Sequence, residues 1–205
     1  MATFHRFLTD AANRGEAVNT LFEERLFDLV GVLHRIIDSL NAEQIPYEVI
    51  GGLAVLIHVE EASPEHTSLT RDVDLMVRRS DLERIKAVAA GHGFRFRHSA
   101  GVDMLIFGSA ESAKNAVHLI FTGEKVRSDY LLPTPPILPE PKLVQGKEVM
   151  VIPVADLLKM KLTSNRDKDR VHIRSMDAAG LITPEVEKTL TSELYARLAH
   201  IRRTE

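Results

Sequence analysis

The chain of 205 residues contains no cysteine, which excludes thiolate metal sites, disulfides and thiol redox catalysis. That absence leaves the compartment undecided. No apolar run reaches the ~20 residues needed to span a bilayer, and Met1-Ala2-Thr3-Phe4-His5-Arg6 leads into no signal-like apolar segment. A cytoplasmic protein without membrane contact is expected. Aromatic residues supply only 5% of the chain and the net charge is −3, so a chain-wide grip on nucleic acid is not expected and any such contact would be local. What remains, 44% hydrophobic and 27% charged, suffices for an ordinary core in one domain or one and a half.

The most informative stretch runs from Ile50 to Val77. Tyr47-Glu48-Val49-Ile50 reads as a short strand, and Leu53-Ala54-Val55-Leu56-Ile57 as a buried helix behind the Gly51-Gly52 pair. Without Cβ atoms at that junction, a polyphosphate can approach the backbone and meet the free N–H groups of a helix start. Then comes Thr70-Arg71-Asp72-Val73-Asp74-Leu75-Met76-Val77, whose alternation is that of a strand. Its spacing sends the carboxylates of Asp72 and Asp74 to one face and Val73, Leu75 and Val77 into the core. Two acids side by side repel each other, and a hard cation between them relieves the repulsion. That points to magnesium.

In this order, within one strand–helix–strand unit, the two motifs resemble the signature of the nucleotidyltransferase superfamily, the DNA polymerase β-like fold. The resemblance is strongest over about Ile45 to Phe121. It implies that Gly51, Gly52 and Thr70 hold a nucleoside triphosphate, and that Asp72 and Asp74 are catalytic and bind Mg2+, with Mn2+ as the alternative. Members that catalyse transfer carry a third carboxylate on the neighbouring strand, which completes the metal site and takes the proton from the attacking hydroxyl. Ala116-Val117-His118-Leu119-Ile120-Phe121 matches that strand, with His118 where the acid is expected. A neutral imidazole can accept a proton but is a poor magnesium ligand. Either His118 is a substitute base, or the chemistry has been lost, or Asp103 on the preceding strand supplies the acid. A half-buried, hydrogen-bonded structural histidine is the plain alternative.

Elsewhere, residues up to Asn19 suggest a short helix. Thr20 and Glu23 form a capping box for a helix with Leu26, Leu29, Val30, Leu33, Ile36, Ile37 and Leu40 at helical spacing. The Glu60 to Ser68 connection, with Glu60, Glu61, Glu65 and His66, reads as a solvated loop rather than a second metal site. Ser80 and Glu83 predict a capping box for a helix carrying Leu82, Ile85 and Val88, closed by Gly91 and Gly93. Residues 94–97, 102–107 and 116–121 predict further strands, giving a mixed sheet of about five. Gly123-Glu124-Lys125-Val126-Arg127 reads as a turn that either meets a phosphate or is solvated.

Prolines 133, 135, 136, 139 and 141 exclude helix and central strand, so 131–141 is a proline-rich connector. A hairpin turned at Gln145-Gly146-Lys147 follows. Pro153 leads into a helix with Val154, Leu157, Leu158 and Leu162 on one side, and a further helix ends at Gly180. Thr183 caps a last helix with the stripe Val186, Leu190, Leu194 and Leu198. The expected fold is therefore α+β: a nucleotidyltransferase-like mixed sheet with helices on one side, plus a small C-terminal helical part. Residues 1–130 form the core, 131–141 the connector, and 142–205 complete the cleft.

Asp156-Leu157-Leu158-Lys159-Met160-Lys161-Leu162, followed by Arg166-Asp167-Lys168-Asp169, resembles a second motif of one branch of the superfamily, the minimal and AbiEii-like nucleotidyltransferases. The resemblance makes Lys161 a triphosphate contact, with Lys168 and Asp169 beside it; a compact ammonium suits that task. The alternative is an amphipathic helix with a solvated lysine. The function implied is magnesium-dependent transfer of a nucleoside monophosphate to a hydroxyl of a tRNA, a protein or a small molecule. The alternative is a binding or regulatory module with a cognate antitoxin as partner.

Overall fold

The computed structural model describes residue 24 and residues 26–66, 70, 72–108 and 116–204. The N-terminal helix expected before Asn19 and the Thr20–Glu23 capping box lie outside them. Residues 26–42 form helix α1, whose Leu29, Val30, Leu33, Ile36, Ile37 and Leu40 are all buried. Burying one such side chain contributes roughly 1.5–3 kcal/mol, which is what holds this helix on the sheet.

Strand β1 (Tyr47–Ile50) runs directly into helix α2 (Gly51–Ala62), which is buried from Gly52 to Val59. Glu60 and Glu61 therefore sit on the end of this helix rather than in a loop, and Glu61 accepts from Lys142 at 2.6 Å. Strand β2 (Val73–Val77) follows, then helix α3 (Leu82–Gly91), β3 (Phe94–Ser99), β4 (Val102–Phe107) and β5 (Ala116–Phe121). The predicted Ser80–Glu83 capping box is not formed. A short 3₁₀ turn at Arg79–Asp81 precedes α3, no side chain caps its first turn, and Glu83 is bonded to Lys86 instead, at 2.6 Å.

Strands β6 (Glu140–Val144) and β7 (Lys147–Val151) form the expected hairpin, turned by Gln145 and Gly146 with φ of 48° and 77°, the positive pair that a tight two-residue turn requires. The hairpin does not stand apart: β7 pairs in parallel with β1. The five-strand expectation thus becomes one seven-stranded sheet among the described residues, in the order β3-β4-β5-β2-β1-β7-β6. It is mixed, since β2 and β5 are also parallel while the other neighbours run antiparallel. Pro141 sits in the edge strand β6, where a missing N–H is tolerated.

Helices α4 (Val154–Ser164) and α5 (Asp167–Ala178) pack on α2 and on each other. The single last helix predicted from Thr183 is two. Thr183 caps α6 (Pro184–Glu187), and Thr191 caps α7 (Ser192–Arg203), its hydroxyl accepting from the Leu194 N–H at 3.3 Å. A second capping threonine inside the apolar stripe restarts the helix. No helix among the described residues is long and apolar enough to cross a membrane.

Candidate functional site

Register across the sheet decides which side chains share a face. Asp74 lies opposite Ile50 of β1 and opposite His118 of β5. Asp72 lies just before β2, near enough for its charge to act on His118, while Val73, Leu75 and Val77 are fully buried on the face opposite Asp74. The twin-acid strand therefore runs past the very end of β1, where the glycines begin.

Gly51 has φ +72°, and a Cβ added there would fall 2.0 Å from Oδ2 of Asp74. Its backbone conformation and the carboxylate beside it both demand glycine. A Cβ on Gly52 would fall 2.5 Å from the hydroxyl of Thr70 and 3.3 Å from Cε1 of His172. The start of α2 is thus a bare-backbone floor between Asp74 on one side and Thr70 and His172 on the other. Free N–H groups at such a helix start favour an anion.

His118 donates from Nδ1 to Oδ1 of Asp74 at 2.9 Å, both side chains being about one quarter exposed. A carboxylate oxygen accepts, so the hydrogen is on Nδ1 and Nε2 is left for another partner. The bond to Asp74 raises the His118 pKa, burial opposes it, and the charges of Asp74 and Asp72 add to the rise. Asp103 is not the missing acid. It lies opposite Leu119 whereas Met104 lies opposite His118, so it projects from the other face, where it accepts from His98 at 2.5 Å and meets Arg79 at 3.8 Å.

The C-terminal helices bring a cationic wall. Lys161 is 5% exposed, with its ammonium 3.3 Å from Oδ1 of Asp169; it is buried rather than projecting into solvent. Burial lowers its pKa, and Asp169 and Asp74 oppose that fall. Asp169 is fully buried and also accepts from Ser164 at 2.7 Å, from the Arg166 side chain at 2.7 Å and from the Arg166 backbone at 3.2 Å. Burial alone would raise its carboxyl; Arg166, Lys161 and Ser164 hold it down to about 2. Lys168 is exposed, and its charge lowers the pKa of both His118 and His172.

Gly51, Gly52, Thr70, Asp74 and His118 thus come together through direct approach. Asp72, Lys161 and Lys168 act on them through charge. His172 escaped the sequence reading. Its spacing from Asp169 and Lys168 puts all three on neighbouring turns of α5, but its meeting with Gly52 is long-range and carries no local signature. Among the described residues no group of three or more histidines and acids converges on one metal position. Asp72 and Asp74 are carboxylates of the kind magnesium takes, one or two at a time, completing its shell with water and substrate phosphate.

No family model matches the chain, and no curated protein sequence matches it. Solved structures do. It is similar to the antibiotic-resistance factor ANT(2'')-Ia in its solution structure, at 14% identity over 85% of this chain and 91% of that one, TM-score 0.55. The crystal form of ANT(2'')-Ia with adenylyl-2''-tobramycin gives the same identity and TM-score over 85% and 97%. An antigenic nucleotidyltransferase-like protein from Paracoccidioides brasiliensis matches at 16% identity over 89% of both chains, TM-score 0.57. The lincomycin-bound lincosamide antibiotic adenylyltransferase LnuA matches at 11% over 73% and 96%, TM-score 0.50. At these identities what is shared is architecture, and the chain has the nucleotidyltransferase-like fold.

Proposed function

We propose that this protein is a nucleotidyltransferase that moves a nucleoside monophosphate from a triphosphate to a hydroxyl acceptor. The observation that carries the reading is the close approach of Asp74 to Gly51, which sets an acidic strand and a phosphate seat side by side. In this reading Gly51, Gly52 and Thr70 seat the phosphates, and Lys161 and Lys168 supply fixed positive charge. Asp72 and Asp74 would hold Mg2+, or Mn2+ in its place, and the bound ion would neutralise charge developing on the transferred phosphoryl group. The acceptor oxygen bonds to the α-phosphorus as the bond to pyrophosphate breaks. The acceptor's proton passes to Nε2 of His118, whose Nδ1–H is held by Asp74.

A small alcohol is the favoured acceptor, because structural neighbours carry adenylyl-tobramycin and lincomycin; a tRNA or protein hydroxyl is the other class. Neither the AbiEii-like branch nor a cognate antitoxin draws support from these neighbours. Residues 1–130 would supply the phosphate seat and the acids, and residues 142–205 the cationic wall across a proline-rich connector. The experiment offers each α-labelled triphosphate, with magnesium or manganese, to the protein plus small alcohols, tRNA or cell protein. Label transfer that is lost in Asp72→Asn is expected. Transfer at the wild-type rate in that variant overturns the reading. Tight triphosphate binding with no pyrophosphate release would instead mark a binding module.

A further inference from the structure

One side chain at the phosphate seat has no task in this chemistry. His172 of α5 is 8% exposed, and its Cε1 would lie 3.3 Å from a Cβ on Gly52. The adjoining Nδ1 is buried with no hydrogen-bond partner among the described residues. Buried polar atoms are nearly always paired, and an unpaired one is costly unless a ligand completes it. Across Gly52 stands the Thr70 hydroxyl, so the bare backbone of this glycine is flanked by a hydroxyl on one side and the imidazole ring on the other.

The charges around the ring say what that ligand is. Lys161 from α4 and Arg166, Lys168 and Asp169 from the start of α5 act on it, and Asp169 is already committed to Arg166, Lys161 and Ser164. The surplus is positive, which suits an anion and repels a cation. Burial first, and then Lys161, lower the ring to about 4. At neutral pH it therefore carries one hydrogen, which either nitrogen can hold. The two ends of the seat also differ: Asp74 stands at Gly51, His172 at Gly52. With the acids at the reacting α-phosphate, the Gly52 end receives the distal phosphates.

We propose that His172 is the residue that reads the terminal phosphate, its Nδ1–H donating to an oxygen of the γ-phosphoryl group over Gly52 and so making the site select triphosphates over shorter phosphates. This rests on the nucleotidyltransferase reading above. The test is calorimetry of ATP, ADP and AMP with magnesium on the wild type, His172→Phe and His172→Gln, with circular dichroism to verify folding. Alongside it, the 15N resonance of His172 Nδ1 is followed in the wild type as ATP is added. The expected result is a loss of roughly tenfold or more in ATP affinity for His172→Phe, with AMP affinity unchanged, partial recovery in His172→Gln, and a shifted Nδ1 resonance. Wild-type ATP affinity in folded His172→Phe, or a resonance that stays in place while ATP binds, overturns the role of His172 alone. A wild type that binds no nucleotide overturns it together with the reading on which it rests.

Discussion

Gly51 is fitted against Asp74 so closely that it tolerates no side chain. Gly51→Ala meets a positive φ and a carboxylate oxygen 2.0 Å from the new methyl group. The strained backbone alone costs roughly 1–3 kcal/mol. The expected outcome is a lower melting temperature together with loss of nucleotide transfer, measured by thermal melts and label transfer. Glu48 offers a second test at this scale. It is fully buried on β1, accepts from the Leu138 N–H, and its Oε2 has no partner among the described residues. Burial raises its carboxyl to about 7, against the ordinary 4.5, although the Leu138 bond works the other way. The folded chain therefore keeps a proton that the unfolded chain releases. Its contribution is complete below about pH 4.5 and is lost as pH rises through about 7, a swing on the order of 3 kcal/mol. Glu48→Gln is expected to flatten the fall in melting temperature between pH 5 and 8; an unchanged slope contradicts this account.

At the scale of elements, the strands were legible because alternation is local. Val73, Leu75 and Val77 announce one face and Asp72 and Asp74 the other, and the structure buries the three apolar residues while setting Asp74 opposite His118. What the residues could not announce was order. That β7 lies beside β1 depends on hydrogen bonds between strands distant in sequence, and that Asp103 faces away from His118 depends on register. The same limit hid His172, whose partner surface is Gly52. Helix boundaries failed for a different reason: the motif Ser80–Glu83 is a local preference, and the 3₁₀ turn with its Arg79–Glu124 pair at 2.5 Å replaced it. The Thr191 restart can be tested directly. Thr191→Ala removes the acceptor for the Leu194 N–H and is expected to cost about 1 kcal/mol, read as a shifted denaturant midpoint with an unchanged slope.

The whole molecule turns on α2, which carries the bare-backbone floor at its first turn and bears α4 and α5 along its length. Leu53 is 1% exposed in that helix, and truncating such a side chain costs roughly 2–5 kcal/mol through lost transfer energy and a cavity. Leu53→Ala is expected to lower the unfolding midpoint and to weaken triphosphate binding in the same variant. Binding at full strength in a destabilised variant would separate the two. The reason they should move together lies in how Lys161 is held. Tied to Asp169 and almost wholly covered, its ammonium is not a swinging arm that can follow whatever enters. It behaves as a stationary electrode, set in place when the chain folds, and anything entering must come to it. If Lys161 serves the proposed nucleotide site, selectivity there would reside in the rigidity of its mounting, and small loosenings deep beneath the surface would first be felt as blurred discrimination among anions.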